Sequence, residues 1–482
     1  MLVQHQSKQV IKQIAKILQF SIFMFLASCT SQMFDTQNQN PFFDQTCNKY
    51  NFDFCSEIPY VEEIEIEEKV TFDHALDDFQ DLECEKIKLE ESIEQIYLES
   101  KEFNYESKKT IFDTFTKSCV EEITTYNDGS ILRKYSFCCS FFNTALSGQK
   151  SFAYFAEHER NLIIGLGTGL FTYIPTENLL SEKSIEVSHI KSNFQKLIVD
   201  DEIYNPSWFS IKDILIEGNL LLVSYTKEVK ENCYNTSILQ AEFNYEYLEF
   251  SEFFSHGECV FTDNKPSFSG HSAGGKIITL KDSKYLFTTG EFLKRSNAQE
   301  KTSNLGKTIL LDNDGRKIKT VSLGHRNPQG LTLTDTDGVH LLTEHGPAGG
   351  DEINLIRTSD KFINYGWPIS SYGNHYGNVT IDAAPLYKSH KNHGFTEPIY
   401  YFYPSIGISA IEQSANNNTF MVSSLNQRRL YKIEFNNKLS EPSSVKRYLI
   451  NERTRDLIYI ESINAHVMSL EDTPYIGIFI NN

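Results

Sequence analysis

The chain has 482 residues but no cysteine beyond Cys259, and no Cys-x-x-Cys or Cys/His spacing of a zinc site, so disulfides are confined to its first part. Basic residues are the minority, 45 Lys and Arg against 64 Asp and Glu, for a formal net charge of -19. Without a basic patch to meet phosphates, nucleic acid is excluded as a partner. No strands alternate with helical patterns, which excludes a βα architecture. Gly165-Leu-Gly-Thr-Gly169 carries the glycines of a dinucleotide loop, but neither a helical pattern nor a suitably spaced acidic residue follows, so it reads as a turn between strands. Nor is there an apolar run of about 20 residues, the length a membrane-spanning helix needs.

The N-terminus reads as an export signal: Lys8, Lys12 and Lys16 precede an apolar run over residues 17–27 that leads into Leu26-Ala-Ser-Cys29. One reading is an ordinary secretory signal with an incidental cysteine. The favoured reading follows from Leu-Ala-Ser-Cys, which resembles the lipobox of bacterial lipoproteins. Residues 1–28 are then removed and Cys29 becomes the lipidated first residue. The expectation is an exported protein, lipid-anchored in the bacterial cell envelope through Cys29 and facing the periplasm. Eight of the nine cysteines remain for pairing in that oxidising compartment; Cys233 and Cys259 flank a predicted strand pair and are the best matched, although spacing leaves the connectivity open.

The negative charge is uneven. Residues 62–106 hold 17 acidic side chains against four lysines, 4 − 17 = −13, so the rest of the chain is only mildly acidic. A run of this kind reads as a solvated face or spacer. Residues 29–145 are therefore read as an appended acidic region of uncertain fold, and residues 146–482 as the main domain.

From Phe152 onward one unit recurs: an apolar strand, a polar turn and a second apolar strand ending in small or polar residues. The copies span residues 152–169, 214–226, 277–291, 331–346, 409–427 and 457–472. Further alternating strands follow at residues 307–315 and 429–435. Six such units indicate radial repetition, an all-β, six-bladed β-propeller. A single β-sandwich would be short for a domain of this length.

Three polar blocks stand among these strands: Gly324-His-Arg-Asn-Pro-Gln-Gly330, Glu344-His-Gly-Pro-Ala-Gly-Gly-Asp-Glu352 and Asn364-Tyr-Gly-Trp-Pro368. Charged side chains, turn glycines and aromatics beside short buried strands are the pattern of functional loops on a rigid scaffold. A base candidate, His271, lies upstream in Ser269-Gly-His-Ser-Ala-Gly-Gly275. Arg326 offers a fixed guanidinium that can hold an oxyanion. Gly346 and Pro347 can expose carbonyl oxygens to a hard cation. Arg453 and Arg455, one residue apart, can share a strand face.

The order and content of these blocks resemble the glucose/sorbosone dehydrogenase family, soluble sugar dehydrogenases that use pyrroloquinoline quinone (PQQ) and calcium, most closely the bacterial aldose sugar dehydrogenase branch. The likeness runs from Phe152 to the C-terminus and is densest between His271 and Pro368. It implies a six-bladed propeller that oxidises an aldose sugar at C1 to the lactone. His271 would be the base and PQQ the hydride acceptor, a role no side chain can fill. Arg326 and Asn327 would lie beside the quinone, Arg453 and Arg455 would meet the PQQ carboxylates, and the Gly346 and Pro347 carbonyls would hold the calcium that contacts it. Glu352 and Tyr365 would help bind a second, structural calcium. Electrons would leave to an external acceptor of unknown identity.

The chain also departs from the family. The spacing after His271 is one residue longer, Lys276 stands where arginine is usual, Gly270 replaces an aspartate of some members, and Glu291 replaces another. Asn426 stands where a lysine contacts PQQ, and Trp208 lies near an expected glutamine. These changes motivate a rival reading, a non-catalytic calcium-stabilised propeller lipoprotein that has lost quinone binding. A propeller lactonase, a third reading, needs a central carboxylate cage that the sequence does not display.

Overall fold

The computed structural model describes residues 61–71, 117–136, 153–167, 169–181, 184–197, 211–261, 271–359, 362–472 and 475–482. Within them, β-branched and aromatic residues alternate with polar ones in short runs, and the runs pair into six mainly antiparallel sheets arranged as a six-bladed β-propeller.

Each blade starts from a tight hairpin. The inner two strands are Ala153–His158 with Asn161–Leu166 in blade 1, and Ile211–Glu217 with Leu220–Lys230 in blade 2. Gly274–Leu280 with Lys284–Thr289 opens blade 3, and Pro328–Leu333 with Val339–Glu344 opens blade 4. Ile408–Gln413 with Thr419–Ser424 and Thr454–Ile460 with Ala465–Leu470 open blades 5 and 6. These hairpins fall on the six units seen in the sequence. The expected third strands are also in place, Lys307–Leu311 in blade 3 and Arg429–Phe435 in blade 5.

The last blade is completed from the other end of the chain. Tyr475–Ile480 pairs with Ile131–Ser136, which pairs in turn with Lys117–Tyr126. Val61–Ile64 adds a parallel edge to blade 5 against Pro442–Leu449. The sheets thus recruit strands that precede residue 146. A signal was available: Asn127-Asp-Gly-Ser130 separates two alternating runs, and Gly129 adopts φ +82, the left-handed conformation a tight hairpin turn uses. Glu122, between Lys69 and Lys134, lies on the same face as Tyr126 and Leu132, which pack with Met421, Leu430 and Tyr448 of blade 5, while Tyr135 turns to the opposite face and packs against blade 1. Cys29 and the rest of the acidic region, residues 30–60, 72–116 and 137–145, lie outside the described residues.

Apolar side chains fill the spaces between neighbouring blades. Phe155, Leu162 and Ile164 of blade 1 pack with Ile460, Val467 and Ile478 of blade 6, and Ile163 and Phe171 pack with Ile214, Leu221 and Val223 of blade 2. Each interface buries the alternating faces of two sheets.

A disulfide joins Cys233 to Cys259, Cα atoms 5.3 Å apart, and fastens Val260–Phe261 to the third strand of blade 2. It closes a loop of 26 residues, for which chain entropy predicts roughly 3 kcal/mol of stabilisation. Cys233→Ser should therefore unfold at lower urea concentration than the wild type under oxidising conditions. Dithiothreitol should erase the difference.

The channel at the propeller axis is charged. Lys276 Nζ from blade 3 lies 2.8 Å from Asp213 Oδ1 of blade 2 and 3.1 Å from Asp456 Oδ1 of blade 6. Asp213 Oδ2 accepts the Ile277 N–H at 2.8 Å, and Asp456 Oδ2 accepts the Phe155 N–H of blade 1 at 2.9 Å. Glu412 from blade 5 lies next to them and is pushed up to about 8, by burial first, with the neighbouring aspartates adding to it. Carboxylates therefore do converge on the axis, although the sequence shows no such cage, and an ammonium group stands among them. Below them the channel widens into a cavity of about 610 Å³ on the face opposite the motif-bearing loops.

Candidate active site

In an antiparallel blade the start of the first strand and the end of the second lie at the same end. The motifs flank the inner strands, so the fold gathers them on one face. His271 precedes the first strand of blade 3, Arg326 and Asn327 that of blade 4, and Arg453 that of blade 6, where Arg455 lies inside the strand. Gly346 and Pro347 follow the second strand of blade 4, and Glu471 that of blade 6.

Arg326 is fixed through its backbone. The buried Glu344 accepts the Arg326 N–H at 2.8 Å with one oxygen, and with the other meets His325 Nδ1 at 2.9 Å and Asn354 Nδ2 at 2.8 Å. The guanidinium donates to the His345 carbonyl at 3.1 Å and lies 5.5 Å from the centre of the Trp367 ring. Asn327 ties three loops together: its Oδ1 accepts the Gly274 N–H at 3.2 Å, and its carbonyl accepts the His345 N–H at 3.2 Å. Glu291, fully buried, donates its N–H to the Arg326 carbonyl at 3.1 Å.

His271 keeps part of its ring open to solvent. Desolvation and the positive charges of Lys212 and Arg326 nonetheless push it down to about 4. At neutral pH it is an uncharged imidazole able to accept a proton.

Beside it lies a cationic cradle. The buried Glu471 accepts Arg453 Nε at 2.7 Å and also Arg455 Nε. Arg455 Nη1 donates to Gln329 Oε1 at 2.9 Å, and Gln329 Oε1 also meets His345 Nε2 at 3.0 Å. Burial, then the charges of Arg326, Arg455 and Arg453, hold His345 well below the usual histidine value. Lys212, on the first strand of blade 2, is pushed down to about 7 by burial and by Arg455. Gly275 leaves room for its stem, since a Cβ there would lie 2.3 Å from Lys212 Cβ.

Around Gly346 the chain turns tightly. A side chain on Gly346 would lie 2.2 Å from the Gly350 carbonyl oxygen. Among the described residues no hydrogen bond runs to the Gly346 or Pro347 carbonyl, so both oxygens keep their lone pairs available. Glu352 and Tyr365 sit deeper: Glu352 meets His390 and Asn354, while the Tyr365 ring packs 5.0 Å from His325 and its carbonyl meets His390 Nδ1.

The departures have distinct fates. Asn426 is exposed and bonds through its backbone to Ile406. Arg428 pairs with Asp472 at 3.0 Å, and the same Asp472 Oδ2 accepts the Arg453 N–H at 3.3 Å, while Arg429 pairs with Glu63 at 3.2 Å. Trp208 and Gly270 lie outside the described residues. Lys212, Gln329, His345 and Glu471 were not singled out from sequence. Lys212 carried the clearest signal, a charged residue at the start of an inner strand.

Comparison with known proteins places these features in context. Residues 179–472 match the family described as Glucose / Sorbosone dehydrogenase. Aldose sugar dehydrogenase YliI of Escherichia coli (strain K12) is 32% identical over 166 residues, 32% of this chain and 43% of that protein. Quinoprotein glucose dehydrogenase B of Acinetobacter calcoaceticus is 31% identical over 164 residues, 27% of this chain and 33% of its own length. The chain thus spans less than half the length of either relative. The apo-form crystal structure of the soluble aldose sugar dehydrogenase from Escherichia coli has the same fold, with a TM-score of 0.54 at 18% identity over 68% of this chain and 95% of that one.

Proposed function

The chain belongs to the glucose/sorbosone dehydrogenase family, and from that premise we propose that it oxidises an aldose sugar at C1 to the lactone, using PQQ and calcium. The observation that carries this reading is the cluster of Arg326, Arg453, Arg455 and Lys212 next to a neutral His271, in which the buried Glu471 pairs with Arg453 and Arg455 and the buried Glu291 lies beside Arg326. A surplus of cations suits a small polyanion, and PQQ bears three carboxyl groups. The residues present therefore fit the cofactor, and the name of the Acinetobacter calcoaceticus relative, a quinoprotein, supports the same choice.

Arg453 and Arg455, oriented by Glu471 and Gln329, would hold the cofactor carboxylates. Arg326, fixed by Glu344 and braced on Trp367, would stabilise negative charge at the reacting oxygen. His271 would take the proton of the sugar C1 hydroxyl. When bound, PQQ would supply the two-electron acceptor the reaction requires, and calcium on the Gly346 and Pro347 carbonyls would supply Lewis-acid polarisation. An external acceptor would then take up the electrons. The disulfide supports an oxidising compartment, in keeping with export and anchoring at Cys29.

Titrating the full chain with PQQ in the presence of calcium, followed by dye-linked sugar oxidation, tests the proposal. Arg455→Ala should weaken PQQ binding by about tenfold or more, the loss expected for a charge-assisted hydrogen bond. A chain that calcium stabilises but that binds no PQQ would select the non-catalytic propeller instead.

A further inference from the structure

His390 lies in the long connection between Asp351–Arg357 and Tyr400–Phe402 of blade 4, where no motif singles it out. Its ring is inserted between Glu352 and Tyr365, the two residues that family resemblance assigns to a second, structural calcium. His390 Nδ1 lies 2.8 Å from the Tyr365 carbonyl oxygen, and Nε2 lies 3.2 Å from Glu352 Oε1 in an ion-pair contact. Only the Nδ1 contact has hydrogen-bond geometry; at Nε2 the ring fills the space beside the carboxylate without forming a hydrogen bond.

The ring is also clamped. It is 1% exposed on its side chain and stacks on Tyr372 at 5.3 Å, and Tyr372 stacks on Tyr401 at 4.0 Å. Glu352 Oε2 is taken by Asn354 Nδ2 at 3.2 Å, and the same amide reaches Glu344 Oε1 at 2.8 Å. The adjoining cavity is about 10 Å³, close to the space of one water. Calcium collects about six to eight oxygens at roughly 2.3–2.6 Å. With the histidine ring between the carboxylate and the carbonyl, these residues do not fit that ion. Among the described residues no three His, Cys, Asp or Glu side chains group as a metal site.

We propose that His390 takes the place of the second cation: its ring joins the Glu352 carboxylate to the Tyr365 carbonyl and fastens the long connection of blade 4 to the sheet without calcium. Blade 4 then keeps its shape in a calcium-free medium.

Calcium binding by the full chain, counted by calorimetry alongside melting temperature in calcium and in EGTA, decides the matter. Wild type and Glu352→Gln should bind the same number of ions. His390→Ala should bind one more than the wild type, weakly, with Kd on the order of 10⁻⁴ to 10⁻³ M, and only this variant should gain melting temperature from that extra ion. An ion held by Gly346 and Pro347 counts equally in all three proteins, so failure of the PQQ and calcium reading would leave the differences unchanged. Loss of one ion in Glu352→Gln would overturn the proposal, as would a folded His390→Ala that gains none. If His390→Ala does not fold, the comparison of wild type with Glu352→Gln still decides.

Discussion

Lys276→Met should cost roughly 3–5 kcal/mol of folding stability, the typical result of removing one partner from a buried ionic cluster. The ammonium stands between Asp213 and Asp456, whose side chains are 1% and 2% exposed. Without it, two carboxylates face each other at the axis with Glu412 beside them. The damage extends beyond one pair, because the same carboxylates accept backbone N–H groups from blades 1 and 3.

The sign of the pH dependence follows from the carboxylates. Burial already raises Asp213, and the loss of Lys276 raises it further, above its unfolded value. A carboxyl group with a raised folded-state pKa favours the protonated folded form, so the penalty is greatest above that pKa and shrinks as pH falls through it. Urea unfolding at pH 8 and pH 5 checks both points. Asp213→Asn combined with Lys276→Met should recover part of the stability at pH 8, since it removes one of the stranded charges. A loss below about 1 kcal/mol at pH 8, or one that grows on acidification, would show that the cluster does not hold the blades together.

The inner hairpins were legible because their signal is local: a few alternating apolar residues, a turn, and a few more, as in Ile408–Gln413 and Thr419–Ser424. Ring closure was not, because Ile131–Ser136 finds its partner in Tyr475–Ile480, more than 300 residues away, and only register identifies that pairing. The same distinction divides the site. Arg326, Asn327, Gln329 and Gly346 belong to continuous motifs, whereas Lys212 and Glu471 acquire meaning only when blades 2 and 6 meet them. The axial carboxylates come from blades 2, 5 and 6, so no stretch of sequence displays them as a group. His390 shares its connection with His375 and His393, and nothing in their spacing marks it as the one that reaches Glu352.

His271→Ala should lower kcat/KM for aldose oxidation by about 10²–10⁴-fold, the usual contribution of a positioned general base, while PQQ binding persists through the arginines. The pH profile separates a base from a residue that merely lines the pocket. With His271 pushed down to about 4, the wild type should hold its kcat/KM from neutral pH down to about pH 5 and lose it as His271 takes up a proton near pH 4. Desolvation is the largest cause of that depression and remains in any variant that leaves the loop intact. Lys212 contributes the next part by repelling a protonated ring, so Lys212→Met should move the acid limb to higher pH. Initial rates of the PQQ- and calcium-loaded chain from pH 3.5 to 8 give the test. Retention of more than about a tenth of wild-type kcat/KM in His271→Ala would remove His271 as the base, because general-base catalysis contributes far more than that. A limb that ignores Lys212 would mean that the titrating group lies elsewhere.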